Sequence, residues 1–224
     1  MTIHLAGDST VAPAKPEEDP LTGWGEHLSH YVSDDVRNLA VGGATTGSFI
    51  AEGRWDALLE GLRPGDWVLI QFGHNDQKEP QLDACGGYRR NLESFVRDVR
   101  ARGAEPVLLT SVERRLFEDG RLRRTHGAYP QAVRDLANEQ DVHLIDANAF
   151  TRWLYEWLGE ERSQALFVHL SPGVSPAWPD GVADNTHFSH DGAHAVARFV
   201  ARSLDGIRRV GEHEQAWGKW KVRP

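Results

Sequence analysis

The sequence predicts an α/β fold in which a mainly parallel five-stranded sheet lies between two layers of helix, and three observations carry that prediction. Short apolar runs alternate with stretches of helical periodicity along nearly the whole chain. One run, residues 67–72 (Trp-Val-Leu-Ile-Gln-Phe), is apolar almost without interruption, as expected of a central strand covered on both faces. Gly or Asp closes most of the runs and marks the turns between strand and helix. Such alternation builds parallel sheets through right-handed crossovers. The implied architecture is a flavodoxin-like three-layer αβα sandwich.

Each element has its own signal. Residues 3–6 form a first strand that ends at Gly7, and a loop rich in Pro and Glu leads to a helix predicted over 24–31. A second strand over 36–39 precedes Gly42-Gly43, and the third, 67–72, ends at Gly73. Tyr88, Leu92, Phe95, Val96 and Val99 recur at spacings of three and four, the mark of one helix face, with Gly103 as the stop. A fourth strand follows over 106–109, a helix over 129–140, a fifth strand over 142–145 ending at Asp146, and a helix from about 148 to 158. Pro172, Pro176 and Pro179 make 170–181 an irregular loop. Ser189 caps a final helix whose buried face is Ala193, Val196, Ala197, Val200 and Leu204. The expected organisation is one domain over residues 1–210 and a C-terminal tail over 211–224, in which Trp217 and Trp220 could dock on the domain or on a second copy.

Composition bounds the function. With 224 residues, 40% of them hydrophobic, the chain can bury a sizeable core. No run approaches the ~20 apolar residues needed to cross a bilayer, so no membrane partner is expected. Residues 1–6 read as a strand rather than a secretory leader, and the single cysteine, Cys85, cannot form an internal disulfide. A cytoplasmic location is the expectation. A formal charge of −8 argues against nucleic acid, which calls for a basic face. The oligomeric state, monomer or homo-oligomer, is left open.

In open parallel sheets ligands bind outside the carboxyl ends of the strands. Gly7-Asp8-Ser9, Gly42-Gly43 and Gly73-His74-Asn75-Asp76 follow the first three strands and therefore share one edge. Asp184-Asn185-Thr186-His187 lies just before the last helix and needs only to fold back over that edge. A serine hydroxyl that must lose a proton needs a base, and a histidine needs a carboxylate to fix its tautomer. On this reading Ser9 attacks an ester carbonyl, His187 takes its proton and returns it to the departing alcohol, and Asp184 orients the ring. Activity should then fall in acid, as the base takes up a proton. Asp and His three residues apart do not share a strand face, but a turn can curl the carboxylate back onto the ring. The Ser9 N–H, the Gly43 N–H and the Asn75 amide would form an oxyanion hole, with Gly43 admitting a close backbone approach.

Each residue also has a plainer reading. Ser9 could be a turn or cap residue, Asp184 could cap its own turn, and Asn75 and Asp76 could close a loop. His74 could line the pocket or make a structural hydrogen bond. His187, His190 and His194 are spaced by three and four, but a helical metal pair would still need a third ligand at a fixed place. Neither metal nor cofactor is expected, and His190 and His194 are placed on the exposed side of the last helix. Trp24, Trp55 and Trp178 could present flat faces to a sugar ring or pack in the core.

The four blocks around Ser9, Gly43, Asn75 and His187 resemble those of the SGNH hydrolases, the GDSL-type esterase superfamily. Within it the chain is most similar to the rhamnogalacturonan acetylesterases, through Gly7-Asp8-Ser9-Thr10-Val11, Gly23-Trp24-Gly25, Glu52-Gly53-Arg54-Trp55, Phe72-Gly73-His74-Asn75-Asp76 and Asp184-Asn185-Thr186-His187-Phe188-Ser189. The resemblance implies a serine esterase that removes acetyl groups from acetylated pectic oligosaccharides, a step in pectin degradation. Alternatives within the superfamily are an acetylxylan esterase, a lysophospholipase or a thioesterase. A non-catalytic carbohydrate-binding protein is a further one.

Overall fold

A computed structural model describes the backbone of residues 1–220 and the side chains of residues 1–210. In chain order the first half contains β1 (Thr2–Gly7), β2 (Asp35–Asn38), α1 (Thr46–Ala51), α2 (Arg54–Gly61), β3 (Trp67–Gln71), α3 (Gly87–Ala101) and β4 (Glu105–Leu109). The second half contains β5 (Phe117–Glu118), β6 (Arg121–Leu122), α4 (Tyr129–Glu139), β7 (His143–Ile145), α5 (Ala147–Ser163), β8 (Phe167–Leu170), β9 (Val182–Phe188) and α6 (His190–Trp220). Five strands form one parallel sheet in the order β2-β1-β3-β4-β7, as the sequence predicts.

Strand side chains alternate between two cores, because successive residues point to opposite faces. Ile3, Leu5, Leu69, Val107 and Leu109 face a core built with Leu28, Tyr155 of α5 and Val196, Val200 and Leu204 of α6. Val68, Ile70 and Leu108 face the other, built with Phe49 of α1, Leu58 of α2, Phe95 of α3 and Leu136 of α4. These are the two helical layers of the sandwich.

The structure departs from the sequence reading in several places. The segment Trp24–His30 is a 3₁₀ helix rather than an α-helix. Its buried residues recur every three positions, Trp24 with His27 and Gly25 with Leu28, which is the 3₁₀ period. Helices α1 and α2 occupy a stretch with no expected element; both are short, and α1 is announced only by a capping box between Thr45 and Ser48. Helix α5 continues to Ser163 across a kink at Gly159, and α6 continues to Trp220, into the stretch read as a tail. The side chains of Trp217 and Trp220 lie outside the described residues. No helix among the described residues is long and apolar enough to cross a membrane.

Candidate active site

Ser9 sits at the apex of a turn that closes β1. The Asp8 carbonyl accepts from the N–H groups of Val11 (3.1 Å) and Ala12 (3.0 Å), and Asp8 Oδ1 accepts from Thr10 N (3.0 Å) and Thr10 Oγ1 (2.8 Å). A buried chain anchors this turn to β3: Gln71 Nε2 donates to Thr10 Oγ1 (2.7 Å), and Trp24 Nε1 donates to Gln71 Oε1 (3.0 Å). Trp24 is therefore core, as is Trp55, whose ring lies 4.0 Å from Phe95. Neither is available to a sugar.

The next two loops arrive at the same edge. Val41 N donates to the Gly7 carbonyl (3.0 Å), which holds the segment after β2 against the end of β1. Gly43 has φ 79°, a left-handed conformation that favours glycine. A Cβ there would meet no protein atom within 4 Å, so no packing within the protein demands glycine at this position. After β3, Gly73 has φ 132°, and a Cβ would collide with Ser111 Oγ. Asn75 Nδ2 donates to the Ala44 carbonyl (3.1 Å), and its Oδ1 accepts from Lys78 Nζ (2.9 Å). One N–H of that amide is left over. Asp76 braces the loop as expected: its buried Oδ1 accepts from Thr46 N (2.8 Å) and Thr46 Oγ1 (2.6 Å) at the start of α1. Burial pushes its pKa up in spite of those donors.

The fourth block lies on a bulged strand rather than in a loop. β8 and β9 pair antiparallel, with Phe167 opposite Phe188 and His169 opposite Ala183, so residues 184–187 stand against the single Val168 and form a bulge on β9. Asp184 Oδ1 accepts from Thr186 N (2.7 Å) and His187 N (2.9 Å), and Oδ2 lies 2.7 Å from His187 Nδ1. The bulge frees the two side chains from strand alternation. His187 Nε2 lies 3.0 Å from Ser9 Oγ, 178 residues away in sequence. The tautomer that satisfies both neighbours has Nδ1–H donating to Asp184 and Nε2 accepting from the Ser9 hydroxyl. Burial pushes the Asp184 carboxyl up, but the His187 ring and the two backbone N–H groups outweigh it and hold its pKa below the ordinary value.

Ser9, Gly43, Asn75, Asp184 and His187 line a cleft of about 430 Å³, together with Trp178. A larger groove of about 790 Å³ along 158–162 contains neither Ser9 nor His187. His74 borders the cleft but is buried, its ring edge-on to His126 at 4.4 Å and its Nδ1 3.4 Å from Asp8 Oδ2. Three basic residues in the cleft escaped the sequence reading: Lys15, Lys78 and Arg114. Lys15 and Arg114 lie in loops and Lys78 ends the 3₁₀ turn Asp76–Lys78, positions that carry no local signal of a cleft. His190 and His194 are absent from the cleft, and His194 is half-buried against His27 at 4.0 Å rather than exposed.

A hydroxyl bonded to an imidazole that is bonded to a carboxylate, beside a cleft at the carboxyl edge of a parallel sheet, defines a hydrolase of the serine–histidine–aspartate type. The profile of the GDSL-like Lipase/Acylhydrolase family matches residues 5–195, and the chain belongs to that family. It is 47% identical to the rhamnogalacturonan acetylesterase RhgT of Bacillus subtilis, over 93% of this chain and 90% of the relative. It is 32% identical to the probable rhamnogalacturonan acetylesterase YesY of the same organism, over 93% of each. The crystal structure of Bacillus subtilis YxiM superposes with a TM-score of 0.77 at 28% identity; the match spans 94% of this chain and 56% of that one.

Proposed function

We propose that this chain is a serine acetylesterase that deacetylates pectic oligosaccharides, with residues 1–210 as its catalytic domain. The observation that carries the reading is the continuous Ser9–His187–Asp184 hydrogen-bond chain at the cleft. Ser9 Oγ attacks the acetyl carbonyl while His187 Nε2 takes its proton. The imidazolium then protonates the sugar oxygen as the C–O bond breaks, leaving acetyl-Ser9. Water, deprotonated by His187, attacks that ester, and acetate leaves as Ser9 regains its proton. Asp184 stabilises the imidazolium throughout. The Ser9 N–H, the Gly43 N–H and the spare Asn75 N–H receive the developing oxyanion.

Two observations support an acidic pectic substrate. The relatives named above are rhamnogalacturonan acetylesterases, RhgT so named and YesY as a probable one. The cleft carries Lys15, Lys78 and Arg114, which suit the carboxylate of a galacturonate unit, while Trp178 can stack on a ring face. We place the enzyme in the cytoplasm, acting on short oligosaccharides, because its one cysteine, Cys85, is free. The decisive experiment measures acetate released from defined acetylated rhamnogalacturonan oligosaccharides, beside acetylated xylo-oligosaccharides and a series of p-nitrophenyl esters. Release should be fastest from the rhamnogalacturonan substrates. A preference for long-chain esters would overturn the substrate reading. Ser9→Ala should abolish release with the melting temperature unchanged, and retained turnover would remove Ser9 as nucleophile.

A further inference from the structure

His187, His190 and His194 drew attention in the sequence, but the fold divides them. His187 turns to Ser9, whereas His194 meets two histidines from the Trp24–His30 helix. A 3₁₀ helix has three residues per turn, so His27 and His30 eclipse on one side of it, their rings 5.7 Å apart. The His194 ring lies 4.0 Å from His27 and 5.4 Å from His30. One nitrogen from each of the three rings lies within 4.8 Å of the other two.

We propose that His27, His30 and His194 form a binding site for a divalent transition metal of the zinc, nickel and copper group, which clips the 3₁₀ helix to α6. Three atoms so spaced have a common point no more than about 2.8 Å from each, against about 2.0–2.1 Å for a Zn–N bond, so small ring movements complete the coordination. His27 is 7% exposed, and its Nδ1 has no hydrogen-bond partner among the described residues. That is a costly arrangement unless something binds there.

The surroundings resemble those that orient metal ligands. His30 Nδ1 lies 3.2 Å from the His27 carbonyl, and His194 Nδ1 lies 3.0 Å from the Tyr31 hydroxyl, which leaves both Nε2 atoms without a hydrogen-bond partner among the described residues. His190 Nδ1 lies 3.3 Å from His27 Nε2, while its own Nε2 lies 3.1 Å from Asp19 Oδ1. Burial, then the neighbouring imidazoles, lower the His27 pKa to about 4, so this ring stays neutral. A set of three imidazoles selects borderline transition metals over the oxygen-seeking Mg²⁺ and Ca²⁺. The site is separate from the Ser9 cleft, whose lining includes none of the three. Its place is structural: α6 begins at His190, three residues after His187, and Thr22, just before the 3₁₀ helix, bridges to Phe188. A bound ion would fasten the 3₁₀ helix to the helix that begins three residues after His187.

The test uses the full chain, stripped with EDTA and titrated calorimetrically with Zn²⁺ and with Ni²⁺ near neutral pH, and melted with and without each ion. One ion should bind per chain and raise the melting temperature by a few degrees. His30→Ala and His194→Ala should each weaken binding by more than the roughly 10–100-fold that loss of an outer-shell partner costs, while leaving metal-free esterase activity unchanged. Absence of saturable binding by the wild-type chain would overturn the site. So would undiminished binding in both variants, which would assign the ion to other histidines.

Discussion

The Asp184 carboxylate accepts two backbone N–H groups of its own bulge and faces the His187 ring, so its loss acts both on the base and on the turn that presents it. Asp184→Asn keeps one acceptor oxygen but lets an amide N–H face the ring, which favours the wrong tautomer. The expected outcome is a fall in kcat of about 10³–10⁴-fold with KM little changed, read by steady-state kinetics on an acetyl ester. A loss under tenfold would show that Asp184 serves only its turn. Asn75 permits a cleaner separation, because only its spare N–H is assigned to the reaction. Asn75→Ala should lower kcat by about 10²–10³-fold, and Asn75→Asp should not restore it, since a carboxylate has no N–H to offer. An Asn75→Ala enzyme with full kcat would remove this donor from the oxyanion hole. At this scale the site was legible wherever chemistry is written in a short motif at a strand end, as for Ser9, Asn75 and His187. Arg114 was not legible, because it reaches the cleft from a loop after β4 and is recognisable only in space. Its Nη2 donates to the His74 carbonyl at 3.1 Å, which fixes it there.

The element that matters most for the base is the β8–β9 hairpin, and it was the least legible in sequence. β8 has four residues and β9 is interrupted by its bulge, so neither shows the alternation that marks a strand. Helix α3 was legible to within a residue or two because five apolar side chains repeat over its length and each is buried. The bulge is held from outside by Arg115. Its backbone N–H donates to the Asn185 carbonyl (2.8 Å), its Nη1 to Asn185 Oδ1 (2.8 Å), its Nε to Ser163 Oγ (3.1 Å), and its Nη2 to the Glu160 carbonyl. The guanidinium therefore joins the catalytic bulge to the end of α5. Removing it takes three donors from this junction, although Asn185 Oδ1 keeps His169 Nε2 (3.0 Å) and the Glu160 carbonyl keeps Ser163 Oγ (3.2 Å), and costs roughly 1–3 kcal/mol of stability. It also loosens Asp184 and His187, whose placement is worth on the order of tenfold or more in rate. Arg115→Ala should thus lower both the melting temperature and kcat while a pre-bound substrate analogue still binds. Normal kcat in a destabilised Arg115→Ala protein would limit Arg115 to stability alone.

Across the molecule, one buried ionisable cluster ties three segments together and sets how the fold answers acid. Glu113, after β4, lies in contact with Thr125 and His126 from the following loop and with Arg152 on α5; its Oε1 is 3.1 Å from His126 Nδ1 and its Oε2 3.3 Å from Arg152 Nη1. Burial pushes the Glu113 carboxyl up, but the His126 and Thr125 donors outweigh it and bring its pKa down to about 2. Burial, with His74 adding, lowers the His126 pKa to about 4, so the pair is a carboxylate accepting from a neutral imidazole. Asp8, buried nearby, is also held below its ordinary value. Both lowered groups act in the same direction. In the unfolded chain His126 takes up its proton near its ordinary 6.5 and Glu113 near 4.5, whereas the folded chain resists until about 4 and about 2. Between those limits the unfolded state binds more protons, so stability falls as pH falls. The His126 part, on the order of 3 kcal/mol, should disappear between about pH 6.5 and 4, and the Glu113 part between about 4.5 and 2. Thermal melts from pH 8 to 3 should therefore be level above about pH 7 and decline below it. Glu113→Gln should start lower at pH 7 and show a shallower limb below pH 4.5, since an amide cannot take up the proton while the other lowered carboxylates still can. A melting temperature that stays constant from pH 7 to 4 would show that His126 is not held neutral by its burial.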